Sequence, residues 1–282
     1  MATLHRTPND MQIPVRNLRF SHDAATHPRW WHGGDPVPTA FFNALSCTFP
    51  LGEKFFMDSV RAFRGRTPEP LASQIGDFLA QEAVHSREHM AFNKAAADAG
   101  YDIAALEARI KRRLDFARTR SAEEQLAATC ALEHFTAILA HALLANKGLD
   151  MNGAPEEARR LWTWHAMEEI EHKAVAFDTY LHVTRGWSAL RRYRIRIRAM
   201  IVATLILYST VGANMRDLYR ADGISNRRIW GKTLKYLFVH PGSLRRIFPA
   251  YLTYFKPRFH PWQHDDRALL PAVHAQFGAA AA

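Results

Sequence analysis

Cysteine is scarce in this chain. Its 282 residues hold two, Cys47 and Cys130, too few for a disulfide framework or a cysteine-rich metal site. No Gly-rich dinucleotide fingerprint is present, so the chain carries no motif for reducing itself with a nicotinamide or flavin cofactor. No βαβ alternation and no solenoid-type repeat is visible. The apolar run 199–213 is shorter than the roughly 20 residues a membrane span needs. The first ten residues are polar, with no signal-like apolar core, so a reducing, cytoplasmic setting is the expectation. Acidic residues are nearly missing from one region: between Arg185 and Phe259 there are 16 Lys/Arg but only Asp217 and Asp222, a local balance of +14 within a net charge of +10.

What is present is an apolar, helix-rich chain. Hydrophobic residues make up 48%, enough for a globular core in one large domain or a domain with an appendage. Residues 1–38, broken by Pro8, Pro14, Pro28, Pro36 and Pro38 and by Gly33-Gly34, read as an extended arm. Residues 39–186 read as four long helices. The first, about 39–63, is apolar, with a kink expected at Pro50. The second, about 69–99, ends at Gly100. A basic amphipathic connector follows over 101–119. The third helix opens with a capping-box pattern at Ser121 and Glu124 and ends near Gly148. The fourth, from Pro155 to about Arg185, has acids in its first turn. Residues 187–282 form a basic and apolar helical extension with an aromatic, proline-rich tail packed on the bundle. Within it, 199–213 is expected either buried in the bundle or lying shallowly in a membrane surface.

The chemistry lies on the four helices. His165, Glu169 and His172 are spaced by four and three residues, which stacks them on one helix face. Glu82 and His85 repeat the three-residue step. Glu53 on the first helix and Glu133 on the third are lone carboxylates among apolar neighbours. A Glu from each of two helices plus Glu-x-x-His from each of the others is the arrangement of carboxylate-bridged metal pairs in four-helix bundles. Four carboxylates in one core are very costly without cations, and carboxylate with imidazole suits iron or manganese. The predicted ligands are therefore Glu53, Glu82, His85, Glu133, His165, Glu169 and His172. Glu168 is four residues before His172 and competes with Glu169, which is preferred because it repeats the three-residue step. Glu168 and His89 are candidates for the shell behind the ligands, and a core histidine is an equal reading of His89. Glu171 is expected to face elsewhere, His134 to lie off the metal face, and His141 to be a solvated or packed side chain. His260, His264, Asp265 and Asp266 read as part of a docking tail and not as a second metal site.

Together these residues resemble the ferritin-like di-iron oxygenases. A histidine before the last Glu-x-x-His looks like the arylamine N-oxygenase branch. The Phe-Pro-Leu-Gly-Glu-Lys-Phe-Phe stretch around Glu53, Gln81-Glu82-x-x-His85 and Phe-His-Pro-Trp at 259–262 are similar to a bacterial family labelled predicted metal-dependent hydrolase. The resemblance implies an all-α, ferritin-like four-helix bundle with two iron ions (or manganese), O₂ as co-substrate, and a small or lipid-like apolar substrate. Phe41, Phe42, Phe56 and Phe135 are candidates to line its pocket, although aromatic residues at helical spacing are more often plain core. An electron-donor reductase is the expected partner, and a homodimer is compatible with the sequence. The competing readings are a hydrolase using a water between two metals and non-catalytic iron binding or storage. The arginines beside an apolar run favour peripheral contact with an anionic membrane over nucleic acid.

Overall fold

A computed structural model of the chain describes residues 7–8, 10–22, 27–149 and 151–277. Among these residues the fold is all-α, with no strand. Asp35 caps the first helix, α1 (Pro36–Ser46), by accepting from the Val37 amide, and residues 37–46 are buried. The helix stops at Cys47-Thr48, and α2 (Phe49–Arg61) begins anew with Pro50 in its first turn. The single kinked helix expected over 39–63 is thus two helices. A proline in a first turn sacrifices no hydrogen bond, because that amide has no intrahelical acceptor.

The second long helix is α3 (Leu71–Asp98), followed by α4 (Ile103–Arg118) and α5 (Ala122–Leu144). The Ser121–Glu124 capping box forms as its pattern predicts. α2 packs on α3, α5 packs on α2, and α6 (Glu156–His172) packs on both α5 and α3. These four make the bundle, with α4 on its outside against α2, α3 and the later α8 (Ala189–Ala221).

The fourth helix also departs from the expectation of one piece to Arg185. It ends at His172, and α7 (Val175–Val183) starts after Lys173-Ala174. The break coincides with a buried ammonium. Lys173 Nζ donates to Asp266 (2.7 Å) and to the His264 carbonyl (2.6 Å), and it lies 4.0 Å from the Trp262 ring centre. His141 also bonds Asp266, at 2.7 Å, and His260 bonds Asp178 on α7 at 3.0 Å. The tail is therefore stapled across α5, α6 and α7 by the side chains of His260 and Asp266 and the His264 carbonyl, while the His264 ring meets Thr253 Oγ1 at 3.1 Å. Asp265 instead pairs with Arg267 at the surface.

The basic stretch forms α8 (Ala189–Ala221), a 33-residue helix lying along α1 and α5. Arg196, Met200, Ala203 and Met215 pack inward, while Ile201, Val202, Leu205 and Tyr208 are exposed. Burial in the bundle accounts for one face only. By length and composition two described helices could cross a membrane: α5, which is mostly buried, and α8, whose apolar window is 22% buried. α9 (Arg227–Phe238), α10 (Ser243–Thr253) and α11 (Leu270–Phe277) complete the chain, with α10 on α5 and α11 on α6.

The Lys173–Asp266 pair is buried on both sides, so removing one partner strands the other charge. Asp266→Asn is expected to lower stability by about 3–5 kcal/mol, measured by urea unfolding. A loss below about 1 kcal/mol would show that the tail does not depend on this pair.

Candidate metal centre

Glu53 from α2, Glu82 and His85 from α3, Glu133 from α5, and His165, Glu169 and His172 from α6 converge inside the bundle, all seven buried. Their ligand-type atoms form three overlapping groups, each spanning no more than 4.8 Å: Glu53–His85–His165, Glu82–His85–Glu169 and Glu82–Glu133–His172. The cluster has two ends. At one, His165 Nε2 lies 2.8 Å from Glu169 Oε1 and 3.9 Å from Glu53 Oε1, and His85 Nδ1 lies 3.6 Å from Glu169 Oε1. At the other, His172 Nε2 lies 3.4 Å from Glu82 Oε1, 3.7 Å from Glu133 Oε2 and 3.6 Å from Glu169 Oε2. Glu169 gives one oxygen to each end. So does Glu82, whose Oε2 faces His85 Nδ1 at 3.8 Å. The lone Glu53 and Glu133 each face one end.

Behind the cluster, each imidazole is held from outside. His85 Nε2 meets Glu168 at 3.0 Å, His172 Nδ1 meets the Gln81 carbonyl oxygen at 2.8 Å, and His165 Nδ1 meets His89 Nε2 at 2.6 Å. His89 Nδ1 in turn meets Ser46 Oγ, which donates to Asn93. With the serine proton spent on Asn93, the chain runs one way: His165 to His89 to Ser46 to Asn93. Each imidazole thus has one ring nitrogen engaged from outside and the other facing the carboxylates, which is how metal-bound histidines are held.

Glu168 thus meets His85 from outside the cluster, while Glu169 faces into it. Glu171 faces away from the cluster, as expected. His134 bonds the Ala250 carbonyl. Two supports escaped the sequence reading. Arg16, in the arm, donates to Glu168 at 3.0 Å and to Glu171 at 2.8 and 2.9 Å. Gln81 joins His172 to Glu171, donating to the latter at 2.9 Å. No local periodicity marks Arg16. The usable signal lay beside the ligands, where Gln81, Glu168 and Glu171 are further polar residues on helices that must be buried.

A cation fits this arrangement. Glu53 Oε1, both oxygens of Glu82 and Glu133, Glu169 Oε2, His85 Nδ1 and His172 Nε2 are buried without a hydrogen-bond partner, and such atoms are costly unless something pairs them. In the metal-free protein, protons do part of that work. Burial, then the Glu82 charge, pushes the Glu53 carboxyl well above the usual range. Burial, then Glu169, does the same to Glu133. Burial opposes the Glu169 charge, but His172 and His165 outweigh it and hold that carboxyl well below the usual range. Burial disfavours charge on His85 too, yet Glu168 and Glu82 raise it well above the usual imidazole value. Burial and the neighbouring His85 hold His165 down to about 4.

The family model described as "Predicted metal-dependent hydrolase" matches residues 14–265. No curated protein and no solved structure matches.

Two outcomes follow from this geometry. Because burial and neighbouring charges push Glu53 and Glu133 toward their protonated forms in the metal-free state, Mn²⁺ binding to chelator-treated protein should release protons, and its affinity should rise with pH. A pH-stat titration showing no release would refute the assignment. Arg16→Ala should weaken metal affinity about 10–100-fold, the usual effect of losing an outer support, with stoichiometry unchanged by elemental analysis.

Proposed function

We propose that this chain, which belongs to the predicted metal-dependent hydrolase family, holds two iron or manganese ions on Glu53, Glu82, His85, Glu133, His165, Glu169 and His172 and oxidises an apolar substrate with O₂. One observation carries the metal assignment: three imidazoles, each held at one ring nitrogen from outside, turn the other nitrogen toward four buried carboxylates. The donor set is rich in carboxylate, which suits redox-active iron or manganese. When bound, such ions supply Lewis acidity and, as iron, electrons for O₂. The bundle and its donor pattern support a ferritin-like reading.

The protein's own part is positioning and exclusion. Phe49 lies against His165 and His89, with ring centres 4.8 and 4.6 Å away. Ser86 donates to Glu53 at 2.8 Å. Phe56 and Phe135 line a narrow apolar cavity that reaches Glu53, and Phe42 lines a smaller one that reaches His165 and Glu169. Such walls keep water out and strengthen electrostatics within. Phe41 sits in the core. Hydroxylation balances as C–H plus O₂, two electrons and two protons to C–OH plus water. The chain lacks a dinucleotide motif, so the electrons come from a separate reductase.

The family description supports a second reading, hydrolysis. Paired ions lower the pKa of a water enough to make it a nucleophile at neutral pH. The two readings separate cleanly. Ferrous-loaded protein with a chemical reductant should consume O₂ at least tenfold faster than the His165→Ala variant. Protein that binds two metals, leaves O₂ untouched and cleaves ester or phosphoester probes anaerobically would overturn oxidation in favour of hydrolysis.

A further inference from the structure

Between α4, α5 and α8 lies a cavity of about 310 Å³, at the lower end of the size range of small-ligand pockets. Its walls are apolar: Phe55, Leu114, Ala128, Leu132, Ile195 and Ala199 contribute. Arg113, Arg120 and Arg198 also line it, with one carboxylate, Glu124, which pairs with Arg198. Arg113 donates to the Ile206 carbonyl and to Ser209 Oγ, and Arg120 stacks 4.7 Å from the Phe116 ring centre. Among the described residues neither Arg113 nor Arg120 has a carboxylate partner, so the cavity carries an excess of positive charge.

The cavity adjoins space closer to the cluster. Arg113, Leu114, Leu132 and Ile206 also line the narrower space, about 80 Å³, that reaches Glu53. Phe49 and Leu139 are shared between that space and a third, about 40 Å³, bounded by His165 and Glu169. An arginine-bearing outer chamber thus adjoins an apolar approach to the carboxylate–histidine cluster.

We propose that these adjoining cavities bind a linear aliphatic chain with an anionic head group, the head at Arg113 and Arg120 and the chain running toward Glu53. The orientation follows from desolvation. Phe49, Phe56, Phe135 and Leu139 offer an anion no hydrogen bond, and an unpaired buried anion is very costly, whereas a hydrocarbon chain gains from the same burial. The group presented to the cluster is then a chain carbon remote from the head. That supplies a substrate class for the oxidation proposed above and rests on it for the reaction, but ligand binding itself needs no metal.

The test is calorimetric titration of dodecanoate, dodecyl phosphate and dodecanol into chelator-treated and Mn²⁺-loaded full-length protein. Either anion should bind at least tenfold more tightly than dodecanol, and dodecanoate more tightly than octanoate. A preference for carboxylate assigns a free fatty acid, and a preference for phosphate assigns a phospholipid-type head. The exposed Arg120→Gln should cost the preferred anion about tenfold, the scale of a lost charge-assisted hydrogen bond, and leave dodecanol unchanged. Ala199→Trp fills the outer chamber and should weaken all three ligands at least tenfold with an unaltered melting curve. Ala128→Phe, from α5, should do the same if the first variant folds poorly. Dodecanol binding as tightly as the anions, or undiminished binding to the filled variants, would overturn the proposal. Binding in the metal-free protein keeps this result separate from failure of the metal assignment.

Discussion

Four carboxylates in one helical core set the terms for everything around them. Glu53, Glu82, Glu133 and Glu169 are each at most 3% exposed, and unpaired charges of one sign in such a place would cost far more than the stability of a typical domain. Without a metal, protonation and the nearby imidazoles relieve the charge in part. Two cations would relieve it more fully. The helices, the arm and the tail all serve to keep these four groups together despite their repulsion.

Support comes from unusually distant parts of the chain. Arg16 bridges Glu168 and Glu171, and through them steadies His85 and, by way of Gln81, His172. Lys173 follows His172 directly and is tied to residues 264 and 266. The final helical ligand is therefore gripped on one side by the N-terminal arm and on the other by the C-terminal tail. Loss of helical hydrogen bonds at Lys173-Ala174 is the local cost of that grip.

The sequence made the bundle and all seven converging side chains legible, because helical spacing is a local property. A Glu and a His three apart share a face wherever the helix sits. Polar residues in apolar helices mark themselves by context, as Glu133 does. Helix ends were harder. The stop at Cys47-Thr48 and the break at Lys173 depend on tertiary contacts, which override local propensity. Arg16 was illegible for the same reason: its partners are more than 150 positions away, and nothing in an extended arm announces them. α8 was only half legible. Its hydropathy identified an apolar helix, but only the fold shows which face packs and which is left exposed.

Glu171 shows what this architecture means for the limits of the functional unit. Arg16 reaches it from the beginning of the chain, and His274 on α11 reaches it from the end, at 2.7 Å. The two extremities of the fold meet on a carboxylate one residue from His172. A shortened version that kept every candidate ligand but lacked Arg16 or His274 would retain the inner atoms while removing a partner of Glu171.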